Sequence, residues 1–179
     1  MADSRPREVA ADGRMPVWDA AVRVLHASLA ALVLADFVLD DGGPLHRALG
    51  YGAASVVLVR LAWSVVASGE CGWRALVPSM GRTLDYLHRG APRTLGHDPL
   101  GLWMVWLLWA LVLALGVTGW MARLDAFWGD ETVHAIHAVL ADVLMGAVVL
   151  HFGGVAVMSW LWRENLPAAM VTGRKRPPD

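Results

Sequence analysis

Four apolar stretches, each about as long as a lipid bilayer is thick, constrain this chain more than any other feature. They cover approximately residues 16–39, 44–67, 99–121 and 131–162. A helix needs about 20 mainly apolar residues to cross roughly 30 Å of hydrocarbon. Because the chain is 56% hydrophobic and only 17% charged, these stretches predict an all-α membrane protein, a four-transmembrane-helix up-and-down bundle that forms one domain over residues 1–179.

Proline and aspartate positions predict where the helices begin. The first helix is expected to start near Pro16, since proline suits the first turn of a helix. The third is expected to open at Asp98-Pro99, an N-cap followed by a first-turn proline. The long polar connection 68–97 contains one candidate interfacial helix, Pro78–Arg89, and the tail 163–179 contains a short surface helix at Asn165–Met170.

The distribution of Lys and Arg predicts the orientation of the bundle. With four crossings, the amino terminus, the 68–97 connection and the tail share one side, which carries eleven Lys and Arg residues: Arg5, Arg7, Arg14, Arg74, Arg82, Arg89, Arg93, Arg163, Arg174, Lys175 and Arg176. The other side has two basic residues, Arg47 and Arg123, and five acidic ones: Asp40, Asp41, Asp125, Asp130 and Glu131. Cytoplasmic loops carry the excess of Lys and Arg, so both termini are expected to be cytoplasmic.

Two histidines in the fourth apolar stretch share one helix face. His137 and His151 are 14 residues apart, which on an α-helix is about 40° short of four full turns and about 21 Å of rise. In an antiparallel bundle, residues of matching depth face one another. His26 matches the depth of His151 on the inner side, and His46 matches that of His137 on the outer side.

Paired histidines at two depths predict two b-type haems, because two axial imidazoles form the ligand set of a six-coordinate haem. His26 and His151 would bind the inner haem iron, and His46 and His137 the outer one. Each histidine taken alone also fits a hydrogen-bonded polar residue between helices. Zinc is a weaker alternative, since it prefers about four ligands at one depth.

The remaining histidines and the single cysteine are assigned smaller roles. His134, one turn before His137, is interpreted as a surface histidine, with the outer ligand position and a haem propionate as alternatives. His88 and His97 lie in the polar connection and are interpreted as non-ligating. Cys71, the only cysteine, excludes an internal disulfide, a four-thiolate iron–sulfur cluster and covalent Cys-x-x-Cys-His haem attachment.

Two arginines in apolar helices are candidate partners of haem propionates. Arg60 lies 14 residues after His46 and therefore at the depth of the inner pair, where an arginine needs an anion. Pairing with Asp142, or snorkelling to the interface, is the alternative. Arg23 is one turn before His26 and fits either a propionate or snorkelling. Asp36 and Asp142 fit a hydrogen bond to a ligand imidazole, proton uptake, or a helix-interface role.

Short motifs along nearly the whole chain resemble the prokaryotic cytochrome b561 family, which is related to the cytochrome b subunits of nickel–iron hydrogenases. The matching pieces are Val17-Trp18-Asp19, Arg23-x-x-His26, His46-x-x-x-Gly50-Tyr51, Arg60-Leu61-x-Trp63, Gly96-His97-Asp98-Pro99-Leu100-Gly101, Thr118-Gly119, His137 with His151, and Arg163-Glu164-Asn165-Leu166 through Gly173-Arg174-Lys175-Arg176. Ala27 departs from the family, in which an aromatic residue often follows the first-helix histidine.

The resemblance implies four transmembrane helices, two haem b groups ligated from helices one, two and four, and electron transfer in the bacterial inner membrane. The leading hypothesis is a respiratory-chain conduit between the quinone pool and a redox partner, either a c-type cytochrome or a partner subunit, with homodimerisation possible. The alternatives are a superoxide:quinone oxidoreductase, which the acidic outer loops disfavour, and a haem-free membrane anchor. A net charge of −1 gives no indication of nucleic-acid binding.

Overall fold

The computed structural model describes residues 13–39 and 42–177. The helices are α1 (Ala20–Val38), α2 (Pro44–Val66), α3 (Trp73–Leu76), α4 (Met80–His88), α5 (Pro99–Met121), α6 (Glu131–Leu161) and α7 (Leu166–Thr172). The strands β1 (Met15–Pro16) and β2 (Arg174–Lys175) pair antiparallel. Arg5, Arg7, Asp40 and Asp41, which enter the charge count above, lie outside the described residues.

Helices α1, α2, α5 and α6 are each long and apolar enough to cross a membrane. They run alternately up and down, so the prediction of a four-helix transmembrane bundle is confirmed. One end of the bundle holds residues 13–19, the connection from α2 to α5, and the chain after α6. We call this end the terminal face, and the end that holds the 3-10 turn Asp125–Phe127 the opposite face.

The four long helices pack in a row rather than in a closed ring. α1 packs on α2, α2 on α5, and α5 on α6, whereas no comparable packing joins α6 to α1 or α2 within the described residues. The core lies along this row and under α3, and consists of Ala53, Val57, Leu76, Leu102, Trp109, Leu111, Val112, Leu144 and Ala147. The packing leaves a gap between α6 and the α1–α2 pair.

Aspartate caps set the starts of three long helices. Asp19 accepts a hydrogen bond from Val22 N at 2.7 Å, Asp98 from Gly101 N at 2.8 Å, and Asp130 from Thr132 N at 2.8 Å. Each cap satisfies a first-turn N–H that has no partner within its helix. The expectation that the first helix begins near Pro16 is wrong: Pro16 belongs to β1, opposite Arg174, and Asp19 starts the helix three residues later.

The chain after α6 returns to the chain before α1 and closes the terminal face. Val17 N and Trp18 N both donate to Gly173 O, at 2.8 and 3.1 Å. Lys175, only 4% exposed, then enters between the rings of Trp18 and Trp162, with Nζ 5.9 and 5.7 Å from their centroids. Cation–π attraction acts over such distances. Contacts between sequence-distant segments therefore build this cap.

The polar connection also folds onto the bundle. Trp106 Nε1 of α5 donates to Leu76 O at 2.7 Å, and Trp103 Nε1 donates to Thr83 Oγ1 of α4 at 3.1 Å. Helix α4 lies within the stretch 78–89 that the sequence marks as a short interfacial helix. The connection is therefore part of the packed terminal face.

Replacing Gly173 with alanine should loosen the cap. Gly173 has a φ of +75°, and an added Cβ would lie 2.6 Å from the backbone oxygen of Trp18. G173A should therefore lower the free energy of unfolding by about 1–3 kcal/mol and expose the tail to protease. The measurements are thermal unfolding in detergent and limited proteolysis.

The matched control is G129A, at a glycine with the same φ of +75° but with no atom within 4 Å of an added Cβ. G129A should lower the free energy of unfolding only by the backbone strain of alanine at this φ, and it should leave the tail protected from protease. Equal effects of the two substitutions would contradict the role assigned to the cap.

Candidate functional site

Two pairs of histidines line the gap at two depths, and in each pair the two rings face each other across it. His26 of α1 and His151 of α6 have ring centroids 6.4 Å apart, with an interplanar angle of 51°. His46 of α2 and His137 of α6 have centroids 6.2 Å apart at 78°. The first pair lies toward the terminal face and the second toward the opposite face. The structure thus brings together the four histidines that the sequence analysis paired.

The spacing within each pair suits one metal ion between the rings. A metal–imidazole bond is about 2.0 Å long and the ring centre lies roughly 1.1 Å further on, so two imidazoles on opposite sides of one ion have centres about 6.2 Å apart. The observed 6.4 and 6.2 Å match this value. The residues present therefore fit axial ligation of a haem iron at each depth.

The pair His46 and His137 has contacts that leave Nε2 of each ring available. Asp36 Oδ1 of α1 lies 2.9 Å from His46 Nδ1, although the two groups are not aligned as a hydrogen bond. A carboxylate only accepts, so it favours the proton on Nδ1 and the lone pair on Nε2. Such contacts orient ligand imidazoles in metal sites.

Thr118 of α5 favours the same tautomer of His137. Its Oγ1 lies 2.9 Å from Ala114 O and 2.8 Å from His137 Nδ1. Because a hydroxyl has one proton, donation to Ala114 O leaves the oxygen to accept from His137 Nδ1–H. Gly119 gives the ring room, since a Cβ there would lie 3.3 Å from His137 Cε1.

Two arginines at the terminal face have buried donor atoms without partners among the described residues. Arg60, 6% exposed, donates from Nη2 to Cys71 O at 3.2 Å, and Arg23 donates from Nη1 to Val171 O at 2.6 Å. Arg60 Nη1 and Arg23 Nε have no hydrogen-bond partner among the described residues. Asp142, considered above as a partner of Arg60, is exposed. The two arginines thus retain buried N–H groups for an anion.

His97 is a half-buried residue of the cap. Its ring stacks on Trp18 with centroids 4.6 Å apart, and its Nδ1 is buried without a hydrogen-bond partner in the described structure. Burial, together with Arg60 and Lys175, lowers the pKa of His97 to about 4. The charged forms of His26 and His151 also lower the pKa of His97, so His97 lies near these two rings.

Sequence reasoning assigned no functional role to His97, Thr118 or Lys175. All three belong to the motifs that carry the family resemblance, but no hydrophobic period or helix spacing relates them to a histidine pair. Thr118 offered one usable signal, a hydroxyl within an apolar helix. Lys175 lies in a tail whose fold depends on contacts with residues 94–96, where its Nζ donates to Gly96 O at 3.2 Å.

The other two histidines remain apart from the pairs. His134 is exposed, and its Nδ1 lies 3.0 Å from Asp130 O in its own helix. His88 is exposed, with Nδ1 2.8 Å from Leu84 O. Within residues 13–39 and 42–177, no three His, Cys, Asp or Glu side chains gather closely enough to hold a metal ion. This finding argues against the zinc alternative in that part of the chain.

Four apolar helices with facing histidine pairs define an integral-membrane haem-binding bundle. The sequence model of one family, described as prokaryotic cytochrome b561, matches residues 17–173, and a comparison with curated proteins finds no match. The chain belongs to the prokaryotic cytochrome b561 family. It is therefore a multi-pass bacterial membrane protein, a b-type cytochrome that binds haem b and acts in electron transfer.

The buried state of His97 predicts a pH-dependent stability of the cap. The folded chain keeps this ring neutral down to a pKa of about 4, against 6.5 for the ordinary side chain. The unfolded state thus binds more protons between these values, so the free energy of unfolding should fall below pH 6.5 and level off below about pH 4, by roughly 3 kcal/mol in total. The measurement is thermal unfolding of haem-free wild type and haem-free H97Q between pH 4 and 8, since this pKa applies to the chain without bound haem.

The difference in the free energy of unfolding between wild type and H97Q should show this pH dependence. H88Q, which replaces an exposed histidine of the same face, should keep the wild-type profile. If the stability of wild type and that of H97Q change with pH in the same way between pH 4 and 8, His97 is not held neutral by the fold.

Proposed function

We propose that this chain is a two-haem cytochrome that carries electrons across the bacterial inner membrane between the quinone pool and a redox partner. The observation that carries the proposal is the pair of ring separations, 6.4 and 6.2 Å, at two depths of one gap. His26 and His151 are assigned to the inner haem iron, and His46 and His137 to the outer one.

Haem b held by these histidines would supply a one-electron redox centre. The chain fixes the distance between the two sites, because α6 is one continuous helix that carries a ligand for each. The fourteen-residue separation corresponds to about 21 Å of rise. Asp36 and Thr118 hold the outer rings in the tautomer that presents Nε2.

Arg60, Arg23 and His97 are assigned to the propionate carboxylates of the inner haem. Each has a buried nitrogen without a hydrogen-bond partner in the described structure, and an unpaired buried donor costs about 1–3 kcal/mol. Carboxylates would satisfy these donors and offset the positive charge of the two arginines. His97 is thus added to Arg23 and Arg60, the two propionate partners predicted from the sequence.

The terminal face is assigned to the cytoplasm, so that both termini are cytoplasmic. Its described segments contain nine Lys and Arg residues: Arg14, Arg74, Arg82, Arg89, Arg93, Arg163, Arg174, Lys175 and Arg176. The opposite face has Arg47 and Arg123. The positive-inside rule relates such an excess to the cytoplasmic side.

A basic redox partner suits the opposite face, which carries Asp125, Asp130 and Glu131. We assign to it a soluble c-type cytochrome or a partner subunit, because complementary charge speeds encounter. The same acidic loops disfavour superoxide as the substrate. Stopped-flow mixing decides between a c-type cytochrome and superoxide as the redox partner. Faster haem reduction by superoxide than by a reduced c-type cytochrome would favour superoxide.

The family consists of b-type cytochromes, which argues against the haem-free anchor.

Substituting one ligand should remove one haem. H46A and H137A should each lose the outer haem and keep the inner one, and H26A and H151A should do the opposite, because each ring binds one side of one iron. Pyridine haemochrome analysis and reduced-minus-oxidised spectra give the haem content per protein. H134A is the control and should keep both. Wild type that holds one haem, or single substitutions that remove both, would contradict the assignment.

T118V tests the orienting contact at the outer site. Valine keeps the shape of threonine but removes the oxygen 2.8 Å from His137 Nδ1. Loss of such a contact typically weakens metal-ligand binding by about ten-fold, so the outer haem should transfer faster to an excess of a haem-scavenging apoprotein. T172V, which removes a similar hydroxyl that donates to Ala168 O, should behave as wild type. Equal haem loss from the two variants would leave Thr118 without this role.

A further inference from the structure

The four paired histidine rings differ in the chemical groups that lie beside them. His46 has the carboxyl group of Asp36, with Oδ1 2.9 Å from its Nδ1. His137 has a neutral hydroxyl, 2.8 Å from its Nδ1. Among the described residues, no carboxyl group forms an ion pair with His26 or His151. In that part of the chain, an acidic side chain therefore contacts one ring of the four.

The packing of α1 on α2 holds Asp36 at this ring. Asp36 lies in the last turn of α1 and His46 in the first turn of α2, so the two helix ends meet at the opposite face. Gly50, one turn after His46, leaves room for the carboxyl group, since an added Cβ there would lie 3.4 Å from Asp36 Oδ2. Both oxygens of Asp36 thus lie against α2, and two packed helices fix their position.

A carboxylate beside Nδ1 changes the ring as a metal ligand. It favours the proton on Nδ1 and makes the imidazole more basic at Nε2. A more basic ligand and a nearby negative charge both stabilise the oxidised iron, which carries one more positive charge than the reduced iron. Contacts of this kind are among the means by which a protein sets the reduction potential of haem. Asp36 therefore acts to lower that potential.

The size of this effect follows from Coulomb's law. The side chains of Asp36 and His46 are 21% and 25% exposed, so their contact is only partly shielded by solvent. With an effective dielectric constant of about 20, a unit charge about 10 Å from a redox centre changes the equilibrium constant for reduction about ten-fold. For a one-electron couple, this change is about 59 mV.

The charged side chains near the other pair are mainly basic. Arg23 is one turn before His26 in α1, and Arg60 is buried at the same face. Asp19, at the start of α1, is seven residues before His26, which is about 10 Å of rise, and it accepts from Trp63 Nε1 at 3.0 Å. Even if propionates offset the two arginines, these rings lack a carboxyl contact such as that of His46.

We propose that Asp36 is a positioning residue that lowers the reduction potential of the outer haem below that of the inner haem. Electron transfer from the opposite face toward the terminal face is then favourable. The step moves one electron, so the outer iron is oxidised as the inner iron is reduced, and no bond forms or breaks. The inference rests on the two-haem function proposed above and adds a direction to it.

The order of the two potentials is tested by redox titration of the haem absorbance of purified holoprotein, at one pH and without a redox partner. Wild type should show two one-electron steps. H46A should lose the step of lower potential, and H26A the step of higher potential, because each substitution removes one haem. Loss of the higher step in H46A would overturn the proposal. This comparison uses no Asp36 variant, so it holds even if such a variant loses haem.

The role of Asp36 is tested by D36N, which removes the charge but keeps the shape of the side chain. D36N should shift the lower step about ten-fold toward the reduced haem, or about 59 mV, and leave the higher step unchanged. D36E, which keeps a carboxyl group, should remain close to wild type. The matched control is D125N, because Asp125 is an exposed acid of the same face. It should change neither step.

Pyridine haemochrome analysis of the same samples separates the two proposals. A wild type that holds one haem would overturn the two-haem function, and the order of potentials with it. Two haems with unchanged potentials in D36N, or equal shifts in D36N and D125N, would overturn the role of Asp36 and leave the two-haem function standing.

Discussion

The gap between α6 and the α1–α2 pair is the constraint on which the rest of the structure depends. Within the described residues, α5 is the long helix that packs extensively on α6, and the two rings of each histidine pair face each other where direct helix packing is missing. His26 remains accessible although protein surrounds it, as expected of a side chain that lines such a gap. A group bound by both sides of the gap would stabilise the folded bundle by mass action, so cofactor binding and bundle stability are coupled.

The two ends of the gap differ in their fixed charges. Near the terminal face, Arg60 and Lys175 place positive charge beside the neutral ring of His97. Toward the opposite face, the carboxyl group of Asp36 lies 2.9 Å from His46 Nδ1. The two histidine pairs have the same side chains but lie in different electrostatic environments. This asymmetry comes from the helices and the cap rather than from the histidines.

The sequence predicted the spanning helices and the histidine pairs because both depend on local periodicity and depth. A run of apolar residues fixes a membrane crossing, and an antiparallel bundle then matches His26 with His151 by counting along the helices. The cap could not be predicted in this way. The start of α1 depends on a strand pair with Arg174, and the burial of His97 depends on Trp18 and Lys175, which are distant in sequence and follow no period.

The strand pair that closes the terminal face also imposes an order on assembly. β2 follows all four spanning helices in the chain, so it leaves the ribosome after them. Until then the end of the gap near His26 and His151 has no cap. Once Lys175 is seated between Trp18 and Trp162, that end is covered, so the terminal face is completed only after all four spanning helices have been made.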